Sequence, residues 1–173
     1  MKRVVNSLFL FLETLSAGVW VGALLTFGVA VATPVFRGLP SVTQAGSITA
    51  QVLHRINGIE ASAAALMAVA ALVFLVQADQ RTPIRLGKTV LVVLMVVAFV
   101  YYGTVLMERL EHLRTVDIRD FDHFDETTRA LRDEFDQLHK RYTRLAKANL
   151  WMGVGFLLLS ALERRGSPMR PQH

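Results

Sequence analysis

The sequence contains no cysteine among its 173 residues. This absence excludes disulfide bonds, thiol catalysis, cysteine-ligated iron–sulfur clusters and cysteine zinc sites. Charged residues are also scarce, at 19% of the chain, whereas 53% of the residues are hydrophobic. Soluble domains usually carry about 25% charged residues, and here long stretches have almost none. The composition therefore favours a membrane protein.

The sequence also lacks the short motifs that mark nucleotide binding and common kinds of catalysis. It has no glycine-rich phosphate-binding loop and no catalytic-triad signature. The formal net charge of +5 does not indicate nucleic acid binding, because basic residues beside apolar segments typically face anionic lipid. We expect no nucleic acid partner, and a protein without catalytic activity is the favoured interpretation.

What the sequence does contain is four apolar segments that predict membrane-spanning helices. These segments lie at about 8–32, 59–78, 89–107 and 150–162, the last extended by 146–149. A span needs roughly twenty residues, and every backbone amide in lipid must bond within its own helix. The predicted fold class is all-α: a polytopic membrane protein with four transmembrane helices, in which residues 1–173 form one domain.

The connection between the first two spans predicts a separate amphipathic helix. Residues 41–56 begin with the capping box Ser41-x-x-Gln44 and carry apolar residues at three- and four-residue spacing. Asn57 and Glu60 then repeat a capping pattern at the start of the second span. Glu60 is therefore interpreted as a residue that begins a helix, and the first span is expected to end at Pro34.

Residues 108–147 predict an extramembrane helical stalk between the third and fourth spans. Apolar side chains recur there at nearly heptad spacing, at Phe124, Leu131, Phe135, Leu138, Tyr142 and Leu145. Charges of both signs occupy the other faces. We expect two antiparallel helices with a turn near residues 117–122, and we interpret the apolar stripe as a packing seam rather than a ligand groove.

The basic residues favour an orientation with both termini in the cytoplasm. Those near the span ends are Lys2, Arg3, Arg81, Arg85, Lys88, Arg164 and Arg165. Cytoplasmic flanks carry an excess of lysine and arginine. The sequence therefore predicts a multi-pass protein of the cell inner membrane, with the lipid bilayer as its first partner.

Glu13, Trp20 and Lys88 form the candidate intramembrane polar site. Glu13 lies roughly 8 Å inside the first span, and Lys88 opens the third span, which runs in the same direction. The two side chains are expected to pair, or else Lys88 reaches the headgroups and Glu13 stays protonated. Trp20 follows Glu13 by seven residues on nearly the same face. Its indole N–H is expected to need a hydrogen-bond partner there, and the alternative is that the ring only packs in the bundle.

Two further pairs of residues are weaker candidates. Gly18 and Gly22 are spaced for close approach of a neighbouring helix. His54 and His139 are expected near span entrances on one membrane side, where they are candidate ligands for a metal or a haem iron. Their spacing matches no metal motif, so surface or capping roles are the alternative. No cofactor is predicted, and haem b is the alternative.

Three stretches carry a family resemblance. They are WVGALLTFGVAVATPVFRGLP (20–40), QAGSITAQVLHRING (44–58) and FDQLHKRYTRLAKANLWMGVGFLLL (135–159). They resemble an uncharacterised bacterial integral membrane family related to the transmembrane protein 205-like domain. This resemblance implies a four-span inner-membrane protein with no established activity.

The first and third spans are also remotely similar to those of CopD-type copper-resistance proteins and HemJ-type protoporphyrinogen oxidases. Those proteins tend to carry a histidine seven residues before the tryptophan of the first span, where this chain has Glu13. Lys88 stands where the HemJ type has a lysine. Because glutamate is a poor substitute for imidazole on haem iron, the departure weighs against a haem-dependent oxidase.

These patterns together predict a membrane-embedded bundle that binds a partner or small molecule, or supports another membrane complex. A second copy of the chain or another membrane protein is the expected partner. Two alternatives remain open at this point. One is a haem-linked redox protein that uses His54 or His139, and the other is transport of a small solute or metal past Glu13.

Overall fold

The computed structural model describes residues 2–77, 82–123 and 125–165. All regular structure within these ranges is helical, with no β-strand. The four long helices are α1 (residues 2–38), α2 (Val42–Val76), α3 (Pro83–Ile118) and α4 (Arg129–Arg165). Each has a stretch long and apolar enough to cross a membrane. The chain is thus an all-α, multi-pass membrane protein, which confirms the predicted fold class.

The helices run up and down in chain order and pack in a ring. Helix α1 packs against α2 and α4, and α3 packs against the same two helices from the opposite side. At the terminal end of the bundle α1 and α3 begin, and α2 and α4 end. At the loop end α1 and α3 end, and α2 and α4 begin. Glu13 and Lys88 therefore both lie toward the terminal end, as the sequence predicted.

The helices are longer than a bilayer is thick. The apolar helical stretches run to between 35 and 38 residues, which is about 52 Å or more at 1.5 Å per residue, whereas the hydrocarbon core spans about 30 Å. In α3 the stretch between Lys88 and Glu108 carries no charge, so it is the segment suited to lipid. The remainder of α3 and the start of α4 form the antiparallel helical extension expected for residues 108–147.

The turn of this extension lies slightly later than predicted. Helix α3 ends at Ile118, and Arg119 takes a left-handed backbone with φ of 59°, a conformation that is uncommon for a residue with a Cβ. A 3₁₀ turn at Glu126–Thr128 then leads into α4. Phe124, one residue of the predicted heptad, lies outside the described residues.

Helix α1 does not end at Pro34, contrary to the prediction. A π-helical turn at Phe27–Ala32 precedes the final segment Thr33–Gly38, in which Pro34 occupies an early position. Proline is tolerated at the start of a helical segment because the first N–H groups have no partner there. The widened turn thus lets the chain continue as a helix to Gly38.

The predicted boundary between residues 41–56 and the second span is also wrong. The two form the single helix Val42–Val76. The capping box at its start is present, since Ser41 Oγ accepts the N–H of Gln44 at 3.0 Å. Asn57, however, is buried in the middle of the helix rather than capping one. The adjacent Gly58 does not break the helix, because one internal glycine costs only about 1 kcal/mol.

Aromatic side chains dominate the centre of the bundle. Trp20, Phe99, Tyr102 and Tyr142 meet edge to face in a chain, with ring centroids 5.7, 5.6 and 5.2 Å apart. Such pairs contribute about 0.5–1.5 kcal/mol beyond the area they bury. The outward faces of the helices carry valine and leucine side chains, as a lipid-facing surface requires.

The close helix contact made by a glycine lies on α4, and Gly18 and Gly22 make no such contact with the residues that the structure describes. A Cβ on Gly153 would come within 2.5 Å of Val21 Cγ2, so α1 approaches α4 closely at this point. No atom lies within 4 Å of the Cβ position at Gly18 or Gly22. The interior face of α1 is taken by Ala17 and Trp20 instead, which turns the two glycines away from the neighbouring helices.

Candidate functional site

A fully buried carboxyl group, that of Glu60, lies in the middle of α2. The exposed fraction of this residue is 0%. Its neighbours are Trp20 on α1, Tyr102 on α3 and Asn149 on α4, each also fully buried. We call these four residues the Glu60 centre. Because each helix contributes one of them, the centre lies on the axis of the bundle.

Two donors meet on one oxygen of this carboxyl. Trp20 Nε1 donates to Glu60 Oε1 at 2.6 Å, and the hydroxyl of Tyr102 donates to the same atom at 2.5 Å. Asn149 Nδ2 in turn donates to the hydroxyl of Tyr102 at 3.1 Å and to the carbonyl of Met95 at 3.3 Å. The hydrogen bonds thus link all four helices: α1, α2 and α3 meet at the carboxyl group, and α4 is joined to it through Tyr102.

Several buried polar atoms around Glu60 have no partner. Among the described side chains, Glu60 Oε2, Asn149 Oδ1 and Asn57 Nδ2 lack a hydrogen bond. Asn57 and Tyr142 lie on the loop side of the centre, where the hydroxyl of Tyr142 donates to Asn57 Oδ1 at 3.4 Å. An unpaired buried polar atom usually costs about 1–3 kcal/mol. Its presence in a native core therefore calls for a functional or bound-ligand explanation.

Local backbone geometry positions Tyr102. Helix α3 widens into a π-helical turn at Tyr101–Leu106, and Tyr102 is the buried aromatic residue of that turn. Single π turns inside α-helices occur frequently at functional sites. Here the turn lies beside the carboxyl group to which Tyr102 donates. The sequence pattern alone did not indicate this irregularity.

A second polar group, the ion-pair cluster, lies nearer the terminal end. Lys88 Nζ donates to Glu13 Oε1 and also to Glu163 Oε2, the latter at 2.9 Å. Arg85 Nε donates to the other carboxylate oxygen of Glu163. Lys88 and Glu13 are only 3% and 4% exposed. The two cations and two anions balance, which makes the enclosure of the pair tolerable in lipid.

Aromatic rings complete the environment of these cations. Arg85 lies over the ring of Phe74 at 4.2 Å, and Lys88 Nζ lies 4.9 Å from the ring centre of Phe156. A cavity of about 10 Å³ remains beside Glu13 and Lys88, which is room for about one water molecule. The arrangement therefore joins α1, α3 and α4 by charge and leaves little space for a ligand.

The sequence-predicted site divides into two. Lys88 meets Glu13, as the first interpretation of the pair expected, but Trp20 is bonded to Glu60 rather than to either of them. The interpretation of Glu60 as a capping residue is wrong, because it lies within a continuous helix and its side chain points to the bundle axis. Sequence reasoning missed Glu60, Tyr102, Asn149, Arg85 and Glu163. The signal for Asn149 and Glu60 was a polar residue within an apolar run.

The two candidate histidines lie at different places. His54 is exposed and lines a cleft of about 690 Å³ between α2 and α3 near the loop end. His139 is exposed on α4, with its ring stacked on that of Phe135 at 6.0 Å. Within the described parts of the chain, no group of three or more histidine, aspartate or glutamate side chains is arranged to hold a metal ion.

At the loop end of the bundle, the turn after α3 is hydrogen-bonded to the start of α2. Asp122 accepts the hydroxyl of Ser41 at 2.6 Å and the backbone N–H of Val42 at 2.5 Å. The Ser41 hydrogen bond is the main reason that the pKa of Asp122 is lowered. Hydrogen bonds from His123 and from backbone N–H groups lower the pKa of Asp120 to about 2, and the same contact raises the pKa of His123. We call the hydrogen bonds of Asp122 with Ser41 and Val42, together with the Asp120–His123 pair beside them, the loop clasp.

Comparison with known proteins identifies one family. No curated protein and no solved structure matches the chain. A family model described as "Domain of unknown function (DUF4149)" matches residues 15–116, which is more than half of the 173 residues. The match includes Trp20, Glu60, Lys88 and Tyr102, whereas Asn149 lies beyond it. The links to the transmembrane protein 205-like, CopD and HemJ groups stay resemblances, and the chain belongs to the DUF4149 family.

Proposed function

We propose that this protein binds and releases a proton inside the membrane, at Glu60, and that it catalyses no covalent reaction of its own. This is a specific form of the binding role that the sequence favoured, with a proton as the ligand. The observation that carries the proposal is the unpartnered Oε2 of a carboxyl group that is 0% exposed. Ionisable groups inside a membrane span commonly mark ion pathways and proton relays.

The surroundings of Glu60 support both of its protonation states. Two donors, from Trp20 and Tyr102, stabilise the carboxylate. No cation among the described residues forms an ion pair with Glu60, and an unpaired charge in lipid is costly, which favours the acid. In the acid, Oε1 keeps both hydrogen bonds while Oε2 carries the proton. A group supported in both states exchanges a proton with little rearrangement.

The two alternatives from the sequence gain less support. Glu13, past which a solute or metal would move, is bonded to Lys88 and faces a cavity of about 10 Å³. For a haem-linked redox role, His54 and His139 lie exposed on different helices. Much of the affinity for a haem comes from burying its apolar ring system. The buried carboxyl group of Glu60 is therefore a better-supported functional group than Glu13 or the two histidines.

Infrared difference spectroscopy on the protein in lipid tests the proposal. Acidification should produce a carboxylic-acid carbonyl band that is absent from Glu60→Gln. Glutamine is a matched replacement, since its carbonyl oxygen still accepts from Trp20 and Tyr102. Glu134→Gln is the control, because Glu134 pairs with Arg109 outside the bundle core. A pH difference spectrum that is identical in wild type and Glu60→Gln would refute the proposal.

We further propose that both termini face the cytoplasm of a bacterial cell and that the loop end faces the opposite side. The basic residues near the terminal end, among them Arg85 and Lys88, support this orientation. Reporter fusions after residue 173 and within residues 117–123 should report opposite compartments, with the former cytoplasmic. The same compartment at both positions would contradict the up-and-down arrangement, and the reverse result would contradict only the orientation.

A further inference from the structure

We infer that protons reach Glu60 from the loop end, through the α2–α3 cleft, and that the bundle is closed toward the terminal end. The inference rests on the proposed function, because it specifies the access route to the same carboxyl group. It depends on two observations that are independent of each other. One is the position of the cleft, and the other is the apolar layer on the opposite side of Glu60.

The cleft is large and polar. Its volume is about 690 Å³, far more than a water molecule needs. Polar side chains from both helices line it: Gln51, His54, Arg55, Glu108, Glu111 and Arg114. Both charge signs are present, and Arg114 Nη2 is paired with Glu111 Oε1 at 2.6 Å. Such a lining favours water over lipid chains.

The deep part of the cleft reaches the level of the Glu60 centre. Gly103 and Thr104 line it, and they directly follow Tyr102 within the π-helical turn. On the other wall, His54 lies one helical turn before Asn57, whose Nδ2 has no partner. The cleft and the Glu60 centre are thus formed by neighbouring residues of the same two helices.

The opposite side of Glu60 is closed by one apolar residue from each helix. Three of them lie seven residues, or two helical turns, from their counterparts in the centre. They are Met67 on α2, Met95 on α3 and Phe156 on α4, with Ala17 one turn from Trp20 on α1. All four are 0% exposed. A dry apolar layer offers no hydrogen-bonded path for a proton, and the neutralised ion-pair cluster follows behind it.

The groups that take part in proton transfer along this route can be named. In the cleft the titratable or charged side chains are His54 and Arg55 on α2, and Glu108, Glu111 and Arg114 on α3. Facing Glu60 itself are the hydroxyls of Tyr102 and Tyr142. An imidazole can both accept and donate a proton, so His54 is the group best suited to pass protons inward.

The absence of native cysteine permits a clean accessibility test. Thr104→Cys places a thiol in the deep part of the cleft, and Val97→Cys places one on the same helix two turns closer to the terminal end, where Val97 is 62% exposed. A membrane-impermeant thiol reagent applied to protein in vesicles should label Thr104→Cys and leave Val97→Cys unlabelled. Labelling of neither would mean that the cleft holds no water, and equal labelling of both would mean that water access is not confined to the cleft; either result would overturn the route.

A kinetic experiment then connects the cleft to Glu60. The emission of Trp20 reports on Glu60 through their hydrogen bond, in a background where the outward-facing Trp151 is replaced by phenylalanine. In single-cysteine Thr104→Cys, attachment of a bulky maleimide after folding should slow the response to a pH jump by about tenfold or more. The same label on Asp133→Cys, exposed on α4 outside the cleft, should leave the rate unchanged.

The outcomes of this experiment separate the two ideas. If the emission of Trp20 does not respond to pH and Glu60→Gln behaves identically, the proposed function itself fails. If the emission responds but the rate is the same with and without the label at Thr104→Cys, the function stands and the route is wrong. Since labelled and unlabelled samples come from one folded preparation, misfolding of a variant cannot imitate the effect.

Discussion

The replacement of Lys88 by methionine tests whether the ion-pair cluster is held together by charge. Lys88 donates to both Glu13 and Glu163, whereas Glu163 has a second cation in Arg85. Removal of Lys88 therefore leaves Glu13, which is 4% exposed, without the cation it contacts. Removal of the charge on Glu13 leaves Lys88 still paired with Glu163. The two single replacements should consequently differ in cost.

The magnitudes follow from burial and from the remaining partners. Leaving one member of a buried pair without its counter-ion costs about 3–5 kcal/mol, which is the cost expected for Lys88→Met. Glu13→Gln keeps an oxygen that accepts from Lys88, so the expected cost is about 1–2 kcal/mol. The double variant has no unpaired charge at this position. It should be more stable than Lys88→Met alone, with a coupling free energy of about 2–3 kcal/mol.

The free energy of unfolding can be measured by titrating the protein with sodium dodecyl sulfate in mixed micelles, followed by circular dichroism. The cost of Lys88→Met should shrink at low pH, because protonation of Glu13 removes the unpaired charge. Glu134→Gln serves as a surface control, for which little change in stability is expected. Additive single effects, or a Lys88→Met variant within 1 kcal/mol of wild type, would refute the reasoning.

Two further predictions concern packing and the loop clasp. Gly153→Ala should destabilise the bundle by about 1–3 kcal/mol, because its Cβ would lie 2.5 Å from Val21 Cγ2. Gly18→Ala has open space around its Cβ and should be neutral or stabilising in the same titration. A concentration-dependent loss of stability in Gly18→Ala would instead reveal contact between copies of the chain. The clasp should be strongest between about pH 3.8 and 6.5. Because the pKa of Asp122 is lowered, its contribution to stability is complete above pH 3.8 and is lost as pH falls through the lowered pKa. Because the pKa of His123 is raised, its contribution is complete below pH 6.5 and is lost as pH rises through the raised pKa. Protection of the amides at the start of α2 from hydrogen exchange, corrected for the intrinsic exchange rate at each pH, should be greatest in that window, and Asp122→Asn should flatten its pH dependence.

The sequence predicted the helices better than their ends. Four spans, the antiparallel extension and the meeting of Glu13 with Lys88 follow from apolar length, heptad spacing and the shared direction of α1 and α3. The wrongly predicted helix end at Pro34 and helix start at Asn57 have one cause. Local signals that end a helix in water are weaker in a bundle, where each amide that leaves the helix needs another partner and packing along the whole length favours continuation.

The Glu60 centre was harder to predict, because it depends on contacts between all four helices. An Asn-x-x-Glu pattern is locally indistinguishable from a helix cap. What distinguishes Glu60 is that it accepts hydrogen bonds from Trp20 and Tyr102, which lie 40 and 42 residues away in sequence. The π-helical turn that contains Tyr102 has no simple sequence signature. The one local clue was a polar side chain at the edge of an apolar run, and Asn149 carried the same clue.

The loop clasp also has a consequence for the order in which the chain is assembled. The N-terminal amides of α2 are capped by Asp122, a residue that is synthesised about eighty positions later. A ribosome adds roughly 5–20 residues per second, so α2 enters the membrane with its local Ser41 cap, seconds before the second cap from Asp122 exists. Its start is completed only when α3 has been inserted and has turned back. The hydrogen bonds of Asp122 thus form when the turn between α3 and α4 packs against the start of α2.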